Sequence, residues 1–513
     1  MDRSGWQPVA FSLPHYDSLV AVVADPSTVA HTSSGALRGT TEGEVHVWRG
    51  VPYAEQPVGE RRFRAPEPLA PWSGLRQAVE HGPVPPQGRS FVGGGRDDPK
   101  IRDEACLTVT VWSPRREPGT LLPVMVWIPG GAFVYGAGQL QLYNGSRLAA
   151  NGNVVVVNVT YRLGVFGGFE LGDLGEGFVD NLCLRDQLAA LQWVRDNIAA
   201  FGGDPRCVTI FGESAGATSV LALLASPASR GLFARAIAQS PALPLIADRD
   251  TRARRAHEFL DLVGASPTEL AGLPQRVLRR AAGEIQRRSA ESTPTLAYGL
   301  TFGSELLPHH PIEAARRGEL NPVPLIVGTN THEASMFAWS KPPMLPTTVA
   351  GIDAYFARVA PAARDRVLAA YPGYPRRQAL IAVGSDVMFG APTWAFADAY
   401  SAHALTHVYR FDHAAWHLRA IGLGATHGSE IVHIQHSYGS FIGRKLHPLG
   451  RRVLPSVGRR MQRTWLRFAT GDGLEDWPRY DTPRRATRII GSARDVSVDD
   501  PDAMRRQAWS GLY

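Results

Sequence analysis

The sequence predicts an α/β fold with a mostly parallel central sheet flanked by helices, and three observations carry the prediction. Short apolar, β-branched runs recur at residues 123–128 (PVMVWI), 154–161 (VVVVNVTY), 208–211 (VTIF), 324–327 (PLIV) and 407–411 (HVYRF). They lack clean alternation, as strands buried on both faces do. A helix is legible between two of them, where Leu184, Leu188, Leu191 and Val194 recur at helical spacing before the stop signal GGDP. Strands alternating with helices are the signature of a parallel sheet covered on both sides.

The elements follow in order. Residues 1–31 read as an N-terminal extension. The next stretch, GALRGTTEGEVHVWRGVPYA, alternates like a small antiparallel meander with glycine turns. After the buried strands begin, residues 243–321 and 341–405 turn to Arg, Ala and Pro with helical patches, which reads as helical insertions walling a pocket. No internal repeat or low-complexity linker divides the chain, so residues 32–513 are expected to form one structural unit.

Composition narrows the function classes. Of 513 residues, 44% are hydrophobic and 20% charged, the balance of a water-soluble globular protein. The formal charge of +7 is carried almost wholly by arginine, since lysine stands only at 100, 341 and 445. These charges are scattered and accompany no recognition motif, so no nucleic-acid partner is expected. No stretch resembles a membrane span or a signal-peptide core. Cys106, Cys183 and Cys207 cannot all pair and form no CxxC motif, which fits a reducing, cytoplasmic setting. Monomer and homodimer both stay open.

Chemistry concentrates at VTIFGESAGATSV. Gly212-Glu213-Ser214-Ala215-Gly216 has the G-x-S-x-G form of a nucleophile elbow. A serine projected from a sharp strand-to-helix turn needs small neighbours at the flanking positions, and glycine supplies them at Gly212 and Gly216. The pattern alone is weak; the strand VTIF before it and the helix former AGATSVLALLAS after it give it context.

A serine hydroxyl is a poor nucleophile near neutral pH and needs a base held by a third group. In elbow folds the partners follow in the order acid, then histidine. Glu333 stands just beyond strand PLIV, and His427 lies in GLGATHGSE, the loop reached after strand HVYRF. The strand PVMVWI runs into Pro129-Gly130-Gly131-Ala132-Phe133, a loop with too little side chain to cover its own N–H groups, as an oxyanion hole requires.

These segments, in this order, resemble the type-B carboxylesterase family, which includes bacterial para-nitrobenzyl-type esterases and cholinesterases. The likeness spans roughly residues 33–485 and includes VWRGVPYAEQPVGERRFRAPEP, NVTYRLGVFGGF, DQLAALQWVRDNIAAFGGDPRCVTIFGESAGA and TWLRFATGDGLEDWPRY. The resemblance implies an α/β-hydrolase fold with Ser214 as nucleophile, Glu333 as acid and His427 as base. It places the oxyanion donors on the backbone of Gly131, Ala132 and Ala215, and a structural ion pair on Arg62 and Glu104. This chain departs from the family in three places. Pro129 precedes the glycines where His or Tyr is usual. The partner of a cysteine at the Cys106 position is missing, so Cys106 is expected to be a free thiol. Residues 87–103 carry no tryptophan, so binding of quaternary ammonium groups is unsupported.

The expected activity is therefore a serine carboxylesterase acting on small to medium uncharged esters, with Phe133 and Tyr135 on the pocket wall and no cofactor. Hydrolysis of carbamates or amides by the same triad is the first alternative, and a non-catalytic binding protein on the same fold the second. A third reading, a metal site on His427, Glu430, His433 and His436 in HGSEIVHIQH, lacks the H-E-x-x-H form and is set aside.

Overall fold

The computed structural model describes residues 26–88, 101–115, 119–292, 296–340, 343–450 and 455–513. Eleven strands build the central sheet: β1 (Thr40–Glu42), β2 (Val45–Pro52), β3 (Thr108–Pro114), β4 (Leu122–Ile128), β5 (Val155–Thr160), β6 (Gly203–Glu213), β7 (Arg235–Gln239), β8 (Leu325–Asn330), β9 (Thr406–Phe411), β10 (Ala486–Ile490) and β11 (Asp495–Asp499). Their spatial order is β11-β10-β9-β8-β7-β6-β4-β5-β3-β2-β1. From β5 across to β10 every neighbouring pair is parallel. Antiparallel pairs close both ends.

Each of the five runs read as buried strands lies on one of these parallel strands. All six residues of β5 are buried, as are the last five of the seven in β4 and the last six of β6. That is why their hydrophobicity does not alternate: helices cover both faces. On one face α1 (Leu182–Asn197) buries the predicted Leu184, Leu188, Leu191 and Val194. Helix α2 (Ala215–Ala225) is buried along its whole length, so it offers no polar face to set a period.

The structure corrects several boundaries. Pairing begins at Val29–His31, inside the stretch read as an extension, and the described chain starts at Pro26. The expected meander is split. Thr40–Glu42 and Val45–Pro52 form the hairpin, but Ala36–Arg38 joins a separate three-stranded sheet with Val29–His31 and Leu75–Gln77. The first insertion is not wholly helical, because Ile246–Asp248 and Leu300–Phe302 pair as a short parallel ladder among its helices. In the second, Arg377–Ser385, a π-helical turn at Asp386–Gly390 and Ala391–Tyr400 run on as one helix. Its length and composition do reach those of a membrane span, contrary to the expectation that no stretch would. Leu380, Ile381, Val383, Val387, Met388 and Phe389 contribute most of its hydropathy, and 78% of that window is buried inside the protein, as in a core helix. Its outer side contributes to a satellite core with Ile352, Phe356, Tyr371 and Trp509.

Two ion pairs brace the sheet's N-terminal half. The Arg62 guanidinium donates in bidentate fashion to Glu104 at 2.7 and 2.6 Å, at the positions the resemblance indicates. Arg162 grips Asp186 in the same way at 2.8 and 2.6 Å, with side chains 2% and 0% exposed. Periodicity does not reveal this second pair, because Asp186 sits on a helix otherwise read from its leucines. Cys106, Cys183 and Cys207 are all free thiols.

Candidate active site

The C-terminal ends of β4, β6, β8 and β9 lead into the loops that carry the predicted residues, where open α/β sheets gather their chemistry. Ser214 caps α2 immediately after β6, with φ 58° and ψ −124°, a conformation a non-glycine residue seldom adopts. Such strain costs about 1–3 kcal/mol and persists only where surroundings hold it. Here they do: the Ser214 N–H donates to the Gln239 carbonyl, and its own carbonyl accepts from the Thr218 N–H and hydroxyl. The flanking glycines are dictated by space. A Cβ on Gly216 would meet the Ile128 carbonyl oxygen at 2.0 Å, and one on Gly212 would meet the Gly216 backbone at 2.6 Å. The elbow is therefore wedged against the end of β4.

Glu333 begins a short 3-10 turn three residues after β8. Its two oxygens have separate partners: Oε1 accepts the Asn330 N–H at 2.7 Å, and Oε2 lies 2.6 Å from Nδ1 of His427. The loops bearing these residues are fastened to each other. His332 and Thr426 form a parallel β-bridge, the His332 N–H donates to the Ala425 carbonyl, and the hydroxyls of Ser335 and Thr426 bond at 2.8 Å. The acid–histidine pair is thus part of one stitched unit.

The other ring nitrogen of His427 points back to the elbow. Nε2 is 3.1 Å from Oε1 of Glu213, the residue before Ser214, although the angle does not make a hydrogen bond. Glu213, Glu333, His427 and Glu430 are all buried at this point. Burial pulls the His427 imidazole down, but the Glu213 and Glu333 carboxylates and the Glu333 hydrogen bond outweigh it, and the net shift is upward to about 9. Burial raises Glu213 to about 8, with the nearby Glu430 and Glu333 carboxylates adding to it and His427 opposing. Glu430 is also raised by burial and by Glu333; it accepts from Asn330 Nδ2 at 2.6 Å and Gln239 Nε2 at 3.2 Å. Asp386, the other carboxylate in reach by sequence order, is engaged with the Tyr371 hydroxyl and Arg505. Among the described residues, Glu333 alone bonds His427 Nδ1.

The predicted oxyanion loop lies beside the elbow. A Cβ on Gly130 would sit 2.4 Å from the Glu213 carbonyl and 3.1 Å from Cβ of Ser214, so only glycine lets the loop approach. The turn closes through the Val134 and Tyr135 N–H groups, both donating to the Gly131 carbonyl. That leaves the N–H groups of Gly131 and Ala132 outside the turn's own bonds. Ala215, as the first residue of α2, has an N–H with no intrahelical acceptor. Pro129 fits this loop because its carbonyl, not an N–H, is used: it accepts the Tyr161 hydroxyl at 2.6 Å.

The pocket assignment is corrected in part. Phe133 is 0% exposed and packs in the main core, with its carbonyl accepting the Gly164 N–H; it is not a pocket wall. A left-handed backbone at Ala132 and Phe133 turns that side chain inward. Tyr135 stays partly exposed, near Gly88. Two other rings pack against the histidine: Phe389, buried, with its centroid 4.5 Å from that of His427, and Phe337, partly exposed, at 5.3 Å. Phe389 is on the π-helical turn, a device often found at functional sites. Most of residues 87–103, the stretch without tryptophan, falls outside the described residues.

The histidine row in HGSEIVHIQH does not converge. His427 turns to Glu333, Glu430 to Asn330, His433 to the Tyr438 hydroxyl and His436 to the Gly458 carbonyl. Only four residues, Ile431–Ile434, are helical there, so a long helix face never forms.

The chain is similar to known proteins along most of its length. The model of the carboxylesterase family matches residues 26–498. The para-nitrobenzyl esterase of Bacillus subtilis (strain 168) is 36% identical over 492 residues, covering 93% of this chain and 98% of its own length. The phenmedipham hydrolase of Pseudarthrobacter oxydans is 31% identical, covering 93% and 99%. A solved structure of a PNB esterase superposes with a TM-score of 0.82 at 35% identity, over 95% of this chain and all of that one. With its α/β-hydrolase sheet, its elbow and this similarity along nearly its whole length, the chain belongs to the carboxylesterase family.

Proposed function

We propose that the protein is a serine carboxylesterase in which Ser214, His427 and Glu333 act as the catalytic triad. The observation that carries this reading is the 2.6 Å bond between His427 Nδ1 and Glu333 Oε2, made beside a strained serine elbow. The Ser214 hydroxyl attacks the ester carbonyl while Nε2 of His427 takes its proton. Glu333 holds the ring with Nδ1 protonated and stabilises the imidazolium. The N–H groups of Gly131, Ala132 and Ala215 receive the oxyanion, a contribution of about 3–4 kcal/mol for a single donor in a serine hydrolase. His427 then returns the proton to the leaving alcohol, and water repeats the sequence on the acyl-enzyme.

Phe337, a partly exposed apolar ring beside His427, favours uncharged, small to medium acyl or aryl groups. Turnover of p-nitrophenyl esters from acetate to palmitate by the purified protein tests this reading, with best kcat/KM expected for the short and medium chains. Uniform inactivity across the panel refutes it. Phenmedipham belongs in the same panel, because a relative named for its hydrolysis is 31% identical; faster turnover of it than of any ester would favour the carbamate or amide alternative.

We also infer a reducing, cytoplasmic setting. Burial raises the Cys106 and Cys183 thiols well above their usual range, so both stay protonated, and no disulfide is formed. Recovery of the native protein in a membrane or secreted fraction would contradict it.

A further inference from the structure

Away from the elbow, three imidazoles from separate segments meet. His413 follows β9, His433 lies on the short helix Ile431–Ile434, and His447 ends the helix Phe441–Leu446. One ring nitrogen from each lies within 4.8 Å of the other two. The ring centroids are 4.5 Å apart for His433 and His447, 5.1 Å for His413 and His433, and 5.4 Å for His413 and His447.

The surroundings fix which nitrogen is free. Nδ1 of His413 bonds Ser492 Oγ at 2.8 Å, and Nδ1 of His433 bonds the Tyr438 hydroxyl at 2.8 Å. Nε2 of both rings is buried and has no hydrogen-bond partner among the described residues. A buried polar atom without a partner costs about 1–3 kcal/mol, so two in one cluster ask for an occupant. An oxygen hydrogen-bonded to the far nitrogen is also how ligating histidines are oriented.

We propose that His413, His433 and His447 form a binding site for a divalent transition metal, with zinc as the occupant, separate from the catalytic machinery. An all-imidazole set suits zinc, copper or nickel and not the hard oxygen-seeking cations. Zinc–nitrogen bonds of about 2.0–2.1 Å in a tetrahedron require the nitrogens to stand roughly 3.4 Å apart. The nitrogens, within 4.8 Å of one another, would draw together on binding, with water as the fourth ligand. Arg460 and Arg419 oppose a cation here, but Arg460 is neutralised by Asp495 at 3.0 Å. The role is structural: the ion ties the end of β9 to the segment that carries His433, six residues after His427.

Zinc titrated calorimetrically into the chelator-stripped full-length chain, purified without a histidine tag, tests this. One equivalent per chain is expected, with a rise in Tm and unchanged kcat on p-nitrophenyl butyrate. Cobalt in place of zinc should give the visible bands of a four-coordinate site. His447→Ala and His413→Ala should each weaken zinc binding by at least about tenfold, and Tyr438→Phe, which keeps all three ligands, by about 10–100-fold. Retained esterase activity certifies that each variant is folded. The proposal is overturned if the wild-type chain takes up no stoichiometric zinc, or if the His413→Ala/His447→Ala chain takes up as much.

Discussion

Nε2 of His427 stands 3.1 Å from a carboxylate oxygen of Glu213, the side chain next to the serine, while Nδ1 of the same ring is held by Glu333. An imidazole between two buried carboxylates is a stronger base than a free one, because both favour its protonated form.

The pH profile should report this. The base is active when neutral, so the rate rises as pH passes upward through the His427 pKa, which the carboxylates raise. Glu213→Gln removes one of them and lowers that pKa. The acid limb of kcat/KM should then move to lower pH by about 1 unit or more. No shift, or an upward one, would mean that Glu213 holds its proton throughout and does not act on the ring.

Glu333→Gln should reduce kcat by about 10²–10⁴-fold with little change in KM, since an amide no longer fixes the tautomer that accepts the serine proton. Steady-state kinetics on p-nitrophenyl butyrate checks it. A fully active variant would require another orienter, and Glu430, already bonded to Asn330 and Gln239, has no free geometry for the role.

Gly216→Ala should cost about 1–3 kcal/mol of stability or more through overpacking against Ile128. Denaturant unfolding measures this. A variant as stable as the parent would show that the elbow and β4 separate readily.

Esters of choline should be poor substrates beside uncharged butyrates of similar leaving-group reactivity. Phe337 presents a partly exposed apolar ring next to His427, and sequence 87–103 contributes no indole. A clear preference for butyrylthiocholine in kcat/KM would reveal a cation site elsewhere.

The proposed triad is readable in the sequence because its parts are local signals placed at strand ends: glycines around Ser214, and Glu333 and His427 beyond runs buried on both faces. Phe389 is not, since nothing in a helical alanine-rich stretch marks a π-helical turn that carries one ring to the histidine. Phe133 misled for a related reason: position in the oxyanion loop suggests a wall, but a positive φ sends the side chain into the core. Glu213 was hidden inside the motif as its variable residue. The His413, His433 and His447 cluster joins segments whose spacing has no period, so only the tertiary fold assembles it.

The central claim is that Ser214 is the nucleophile. Intact-mass and peptide mapping after treatment with an active-site-directed organophosphate tests it most directly, with Ser214→Ala as the parallel sample. One adduct per chain on the Ser214 peptide is expected, together with a loss of esterase turnover of at least about a thousandfold in the folded variant. Labelling at another residue, or near-parental turnover by Ser214→Ala, would contradict the account.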